Sequence, residues 1–77
     1  MNNKRRKAIS EINEQLEVLS ETLNIVNEEE TEYLDNMPEN LQESEKYNHS
    51  EEIIDVINEI IENLDNAISV LNEVVSK

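Results

Sequence analysis

Seventy-seven residues, 36% of them apolar, restrict the chain to one small domain. With no cysteine there is no disulfide framework and no thiolate metal site, and with no glycine, Trp or Phe a β-rich fold lacks its turn residues and most of its aromatic strand formers. A net charge of −13 repels nucleic acid and anionic lipid, so it either points to basic protein surfaces as partners or simply keeps an apolar-seamed helix pair in solution.

No apolar run exceeds two residues, which leaves neither a transmembrane helix nor a signal-peptide core, and the chain reads as cytosolic. The opening residues Met1 to Lys7 hold four of the six basic side chains, Lys4, Arg5, Arg6 and Lys7. From Ala8 to about Asp35 the pattern is helical: Ile9, Ile12, Leu16, Leu19, Leu23 and Val26 step by 3, 4, 3, 4, 3. The stripe then turns polar through Glu30, Tyr33 and Met37, while Val18 and Ile25 lie on the outer side.

Pro38 disfavours helical geometry at Met37, so helix 1, about 4–36, ends near Asn36, a residue that tolerates a left-handed cap. The bend is expected over 36–43, with a short helical turn from Pro38 to about Ser44. Ser44 and Ser50 are both candidate N-caps for helix 2, taken as about 44–76; an unbroken helix from Pro38 is the other possibility. Helix 2 carries the strongest pattern. Ile53, Ile57, Ile60, Leu64, Ala67, Leu71 and Val74 form one seam, and a second row, Ile54, Ile61, Ile68 and Val75, runs beside it at seven-residue spacing.

The two stripes register as an antiparallel pair. Ile9 with Leu71, Ile12 with Ala67, Leu16 with Leu64, Leu19 with Ile60, Leu23 with Ile57 and Val26 with Ile53 all have residue numbers summing to 79 or 80. The fold class expected is all-α, a coiled-coil-like two-helix hairpin. Two helices of this size are marginal alone. The row Ile54, Ile61, Ile68 and Val75 is therefore expected to face a second copy in a homodimeric four-helix bundle, or else a foreign protein.

Acid placement gives the functional clue. The segment Glu28 to Asp65 holds fourteen acids against Lys46 alone. Glu28, Glu29, Glu30, Glu32 and Asp35 close helix 1 at its C-terminal end, where carboxylates oppose the helix dipole, which suggests a purpose other than stability. The candidate partner-binding residues are Glu28, Glu29, Glu32, Tyr33, Asp35 and Tyr47; the tyrosines serve either as an aromatic contact there or as packing that closes the bundle end. The lone His49 has Glu45 four residues before it but no further ligand pattern, and without glycine no EF-hand, phosphate loop or dinucleotide fingerprint is possible. Catalysis, a cofactor, a metal and membrane attachment are not expected.

At Asp35-Asn36-Met37-Pro38-Glu39-Asn40-Leu41-Gln42-Glu43-Ser44-Glu45 the chain resembles a set of small acidic hairpin proteins of tailed bacteriophages and prophages, whose pattern runs Asp-Asn-x-Pro-Glu-x-Leu-Gln-x-Ser-Glu after a basic start and a first amphipathic helix. The later Asp65-Asn66 step matches the same pattern. The resemblance implies a phage accessory protein in the host cytoplasm. The expected function is non-enzymatic binding and inhibition of a host or anti-phage defence protein. The alternatives are an acidic nucleic-acid mimic filling a basic cleft, through rows such as Glu14, Glu17, Glu21, Glu28 and Glu32, or a structural coiled-coil or assembly protein.

Overall fold

The computed structural model describes residues 1–41 and 44–77. Helix α1 spans Asn3–Asp35 and helix α2 spans Glu45–Ser76, with a single 3₁₀ turn at Glu39–Leu41 between them. The helices pack against each other as an antiparallel hairpin 59 Å long and 14 × 13 Å across. The chain is all-α.

Local chemistry sets the ends. Asn2 caps α1, its side-chain oxygen accepting from the Arg5 backbone N–H at 2.8 Å. Ser44 caps α2 by accepting from the Tyr47 N–H at 3.3 Å, while Ser50 lies buried one turn into the helix. At the far end of α1 the Asn36 N–H donates to Glu32 O and the Met37 N–H to Leu34 O, each at 3.1 Å. Asn36 stays right-handed, at φ −90° and ψ −3°, rather than taking the left-handed cap conformation its residue type allows. The 3₁₀ closure at Met37 satisfies the last carbonyls directly, and Pro38 then starts the next turn, with Leu41 N–H donating to Pro38 O at 2.9 Å. The expected turn from Pro38 to about Ser44 is thus present as far as Leu41; Gln42 and Glu43 lie outside the described residues.

The seam is rolled from the one the apolar stripes suggest. Burial on α1 recurs at Asn13, Ser20, Asn27 and Leu34, every seventh residue, with Leu16, Leu23 and Glu30 half-buried between them and Ile9 half-buried before them; Met37, just past the helix, continues that second row. In heptad lettering the first row is a and the second d. On α2 the a row is Tyr47, Ile54, Ile61, Ile68 and Val75, and the d row is Ser50, Ile57, Leu64 and Leu71. Ile61 and Leu34 are the buried apolar residues among those described.

Two sets of cross-helix hydrogen bonds bracket the register. The Asn13 side chain donates to Ile68 O at 3.3 Å and the Asn27 side chain to Ile54 O at 3.4 Å, pairs whose numbers both sum to 81. The side-chain pairs Asn13 with Asn72, Ser20 with Asp65 and Asn27 with Asn58 sum to 85, so the register lies between 81 and 85 rather than at the expected 79 or 80. Ile9, Leu16, Leu23, Leu71, Leu64 and Ile57 stay half-buried in the seam without the expected pairing. The other three expected layers are not in the seam. Ile12, Leu19, Val26 and Ile60 expose between 42% and 53% of their surface, and Ala67 is exposed. In their place the small polar residues Asn13, Ser20 and Asn27 turn into the seam, among the half-buried or buried isoleucines Ile54, Ile61 and Ile68 of α2. The row Ile54, Ile61, Ile68 and Val75, expected to face a second copy, is therefore corrected: it packs against α1 within the hairpin. The reason is geometric. A 3–4 stripe can add the neighbouring row on either flank, and α2 buries its isoleucine row while α1 turns its polar row inward to bond across.

Candidate interaction surface

Three cross-helix side-chain bonds line one flank of the seam. Asn13 Nδ2 donates to Asn72 Oδ1 at 2.7 Å, Ser20 Oγ to Asp65 Oδ1 at 2.8 Å and Asn27 Nδ2 to Asn58 Oδ1 at 2.8 Å. The first and third are copies of one another fourteen residues apart on both helices, including the second bond to a carbonyl. Asn58, Asp65 and Asn72 occupy e positions, so this flank is the e side of the hairpin. In an antiparallel pair e positions share one flank and g positions the other. The e flank is polar throughout: Ser10, Glu17, Asn24 and Thr31 from α1, with Glu51, Asn58, Asp65 and Asn72 from α2. Each clamp leaves one atom unserved, for Asn13 Oδ1 and Asn27 Oδ1 are buried and accept no hydrogen bond.

Near the bend the e flank opens into a shallow groove lined by Asn24, Asn27, Glu28, Thr31, Glu32 and Asp35 of α1 and by Ile54 and Asn58 of α2. Three of the expected partner-binding residues, Glu28, Glu32 and Asp35, thus converge at one place, and all three carboxylates are exposed. Tyr47 is half-buried close by. Its phenol is pushed above the ordinary tyrosine value by desolvation first, then by the Glu51 carboxylate, whose charge opposes the phenolate and which accepts a hydrogen bond from the neutral hydroxyl, and last by the charge of Asp35. The remaining two residues separate from this group. Glu29 is at a c position and Tyr33 at a g position, on the opposite flank, where Tyr33 is 50% exposed beside the row of Ile12, Leu19 and Val26.

The larger arrangement is a segregation of charge that single-helix spacing does not reveal. Every acid in the two helices except Glu29 and Glu30 sits at a b, e or f position, on the polar flank and the back of the hairpin. The rows Glu14, Glu17, Glu21, Glu28 and Glu32 on α1 and Glu52, Asp55, Glu59, Glu62 and Asp65 on α2 are exposed along their length. His49 is exposed among Glu45, Lys46, Asn48 and Glu52, and among the described residues no three His, Asp or Glu side chains converge as a metal set. No described helix is long and apolar enough to cross a membrane.

No protein-family model, curated protein or solved structure matches the chain. The features that bear on function are the ladder, the carboxylate flank and the groove at the bend. What these groups can do chemically is accept hydrogen bonds and attract cations. An open groove on a two-helix rod encloses no reacting atom and excludes no water.

Proposed function

We propose that this chain is a non-enzymatic phage accessory protein, acting in the host cytoplasm, that binds a basic surface of a host or anti-phage defence protein and blocks it. The observation that carries the reading is the gathering of Glu28, Glu32 and Asp35 in one groove at the end of a continuous carboxylate flank. Such a surface meets lysine and arginine side chains, gains on-rate from long-range attraction, and weakens as salt rises. Asn24, Thr31 and Asn58 beside the carboxylates supply neutral hydrogen-bonding groups that give the contact a direction. The phage assignment rests on the Asp35 to Glu45 pattern.

The test is retention of host proteins on the immobilised chain, compared with the triple variant Glu28→Gln, Glu32→Gln and Asp35→Asn. A defined partner held at low salt by the parent and released by the variant supports the reading. A host in which the parent retains no protein above the variant's background sinks it.

The exposed carboxylate rows favour one second reading, a mimic of nucleic acid. Carboxylates three or four residues apart on a helix lie roughly 5–6 Å from one another, comparable to neighbouring phosphates. On that reading duplex DNA or RNA competes with the chain for its partner, and the competition steepens as salt is lowered.

A further inference from the structure

The flank opposite the carboxylates is apolar along the middle of its two g rows, between charged ends. Its α1 row includes Ile12, Leu19 and Val26, and its α2 row includes Ile53, Ile60 and Val74, all g positions. No acid lies at a g or c position between Ala8 and Val26 or between Ile53 and Val74. We propose that a second copy of this chain covers this flank, head to tail, to make an antiparallel four-helix bundle. The proposal uses a different surface from the groove at the bend and stands apart from the binding function above.

Three observations commit the flank to that occupant. The first is area. The hairpin exposes 6043 Å². A compact folded chain of this mass exposes ~4,900 Å². The excess of roughly 1,200 Å² exceeds the ~800 Å² that each partner buries in a standard interface. The second is the poverty of the core: among the described residues no side chain is fully buried, and Leu34 and Ile61 alone of the apolar ones are classed as buried. A hairpin with so little interior gains what it lacks by packing its spare apolar rows against an equal set, and the matching α1 and α2 rows make the flank complementary to itself about a two-fold axis.

The third is charge, which sets the direction. Arg5 opens the α1 g row and Lys77 closes the α2 c row, so both cations stand at one end of the flank. At the other end Glu29 stands at a c position and Lys46 at a g position, and the surrounding bend carries Glu28, Glu30, Glu32, Asp35, Glu45, Glu51 and Glu52. Head to tail, each copy lays its cationic end against the acidic bend of the other. Side by side in the same direction, the two acidic bends coincide, and chains of charge −13 repel where they are densest. All remaining helical acids face outward in the head-to-tail bundle.

The experiment is light scattering after size exclusion on the parent and on two single variants, Leu19→Glu and Ile60→Glu, with far-UV circular dichroism on the same samples. The parent is expected at twice 9.0 kDa and each variant at one chain with its helicity retained. A parent that stays at one chain, or one that assembles beyond two, overturns the proposal, as does a variant that remains dimeric. Should a variant unfold, crosslinking decides in its place. A single Ala8→Cys variant, in a chain with no native thiol, is expected to form no disulfide between copies, while Ala8→Cys mixed with Glu29→Cys crosslinks. Ready Ala8→Cys homodimers, or no crosslink in the mixture, overturn the head-to-tail arrangement.

Discussion

Replacing both Asn13 and Asn27 with leucine should stabilise the hairpin. Leucine is the branched isostere of asparagine, so the seam needs little repacking. Each substitution removes two side-chain hydrogen bonds, 2.7 and 3.3 Å at Asn13 and 2.8 and 3.4 Å at Asn27. Those bonds contribute about 0.5–1.5 kcal/mol each, and the longer pair falls at or below the lower end. The former partners Asn58 and Asn72 are exposed and bond water instead. Against this, a buried leucine contributes roughly 1.5–3 kcal/mol. The substitution also removes the unserved Oδ1, whose burial costs about 1–3 kcal/mol. The net expectation is ~1–3 kcal/mol of added stability per site. The sites lie ~21 Å apart along the helix and should add. Urea unfolding by circular dichroism checks this as a rise in the midpoint at constant m-value, at a fixed chain concentration. A lowered midpoint for either single variant would refute the view that the clamps are a specificity device held at a cost in stability.

Truncating Ile61 to alanine should cost about 2–5 kcal/mol, while Val18→Ala, at a 60% exposed f position, should stay within about 0.5 kcal/mol, both read from the same urea transitions. Ser44→Ala should remove the α2 N-cap and lower stability by ~1 kcal/mol, with Ser50→Ala acting instead through the seam. The raised Tyr47 pKa means that the folded state holds the phenol proton more tightly than the unfolded chain. Its contribution is therefore full below about pH 10 and is lost as pH climbs above that value, so Tyr47→Phe should flatten the alkaline limb of a stability-against-pH curve.

The hairpin itself was legible in the sequence because two independent signals agreed: apolar periodicity on both sides of a proline, and stop and start residues at Asn36 and Ser44. That Ile9, Leu16, Leu23, Ile57, Leu64 and Leu71 belong to the seam was also legible, since d positions are mostly apolar on both helices; their pairing was not, because the register is set by the asparagine and serine bonds. The roll of the seam was not. Counting apolar residues assigns Ile12, Leu19 and Val26 to the core, because hydrophobicity alone does not weigh an asparagine that can bond across. The signal existed in the matching heptad spacing of Asn13, Ser20 and Asn27 and of Asn58, Asp65 and Asn72, two polar ladders that only pairing makes sense of. Misplacing the seam also misassigned the spare row on α2 and grouped Tyr33 with Glu28, although the helix holds them on opposite flanks.

The partition of the heptad has an evolutionary consequence. Most of the carboxylates, at b and f positions, occupy different letters of the repeat from the a and d residues of the seam and the g residues of the greasy flank, so that set can vary while the others stay fixed. The carboxylates around Glu28 and Glu32 can therefore be rewritten one substitution at a time without disturbing how the chain folds.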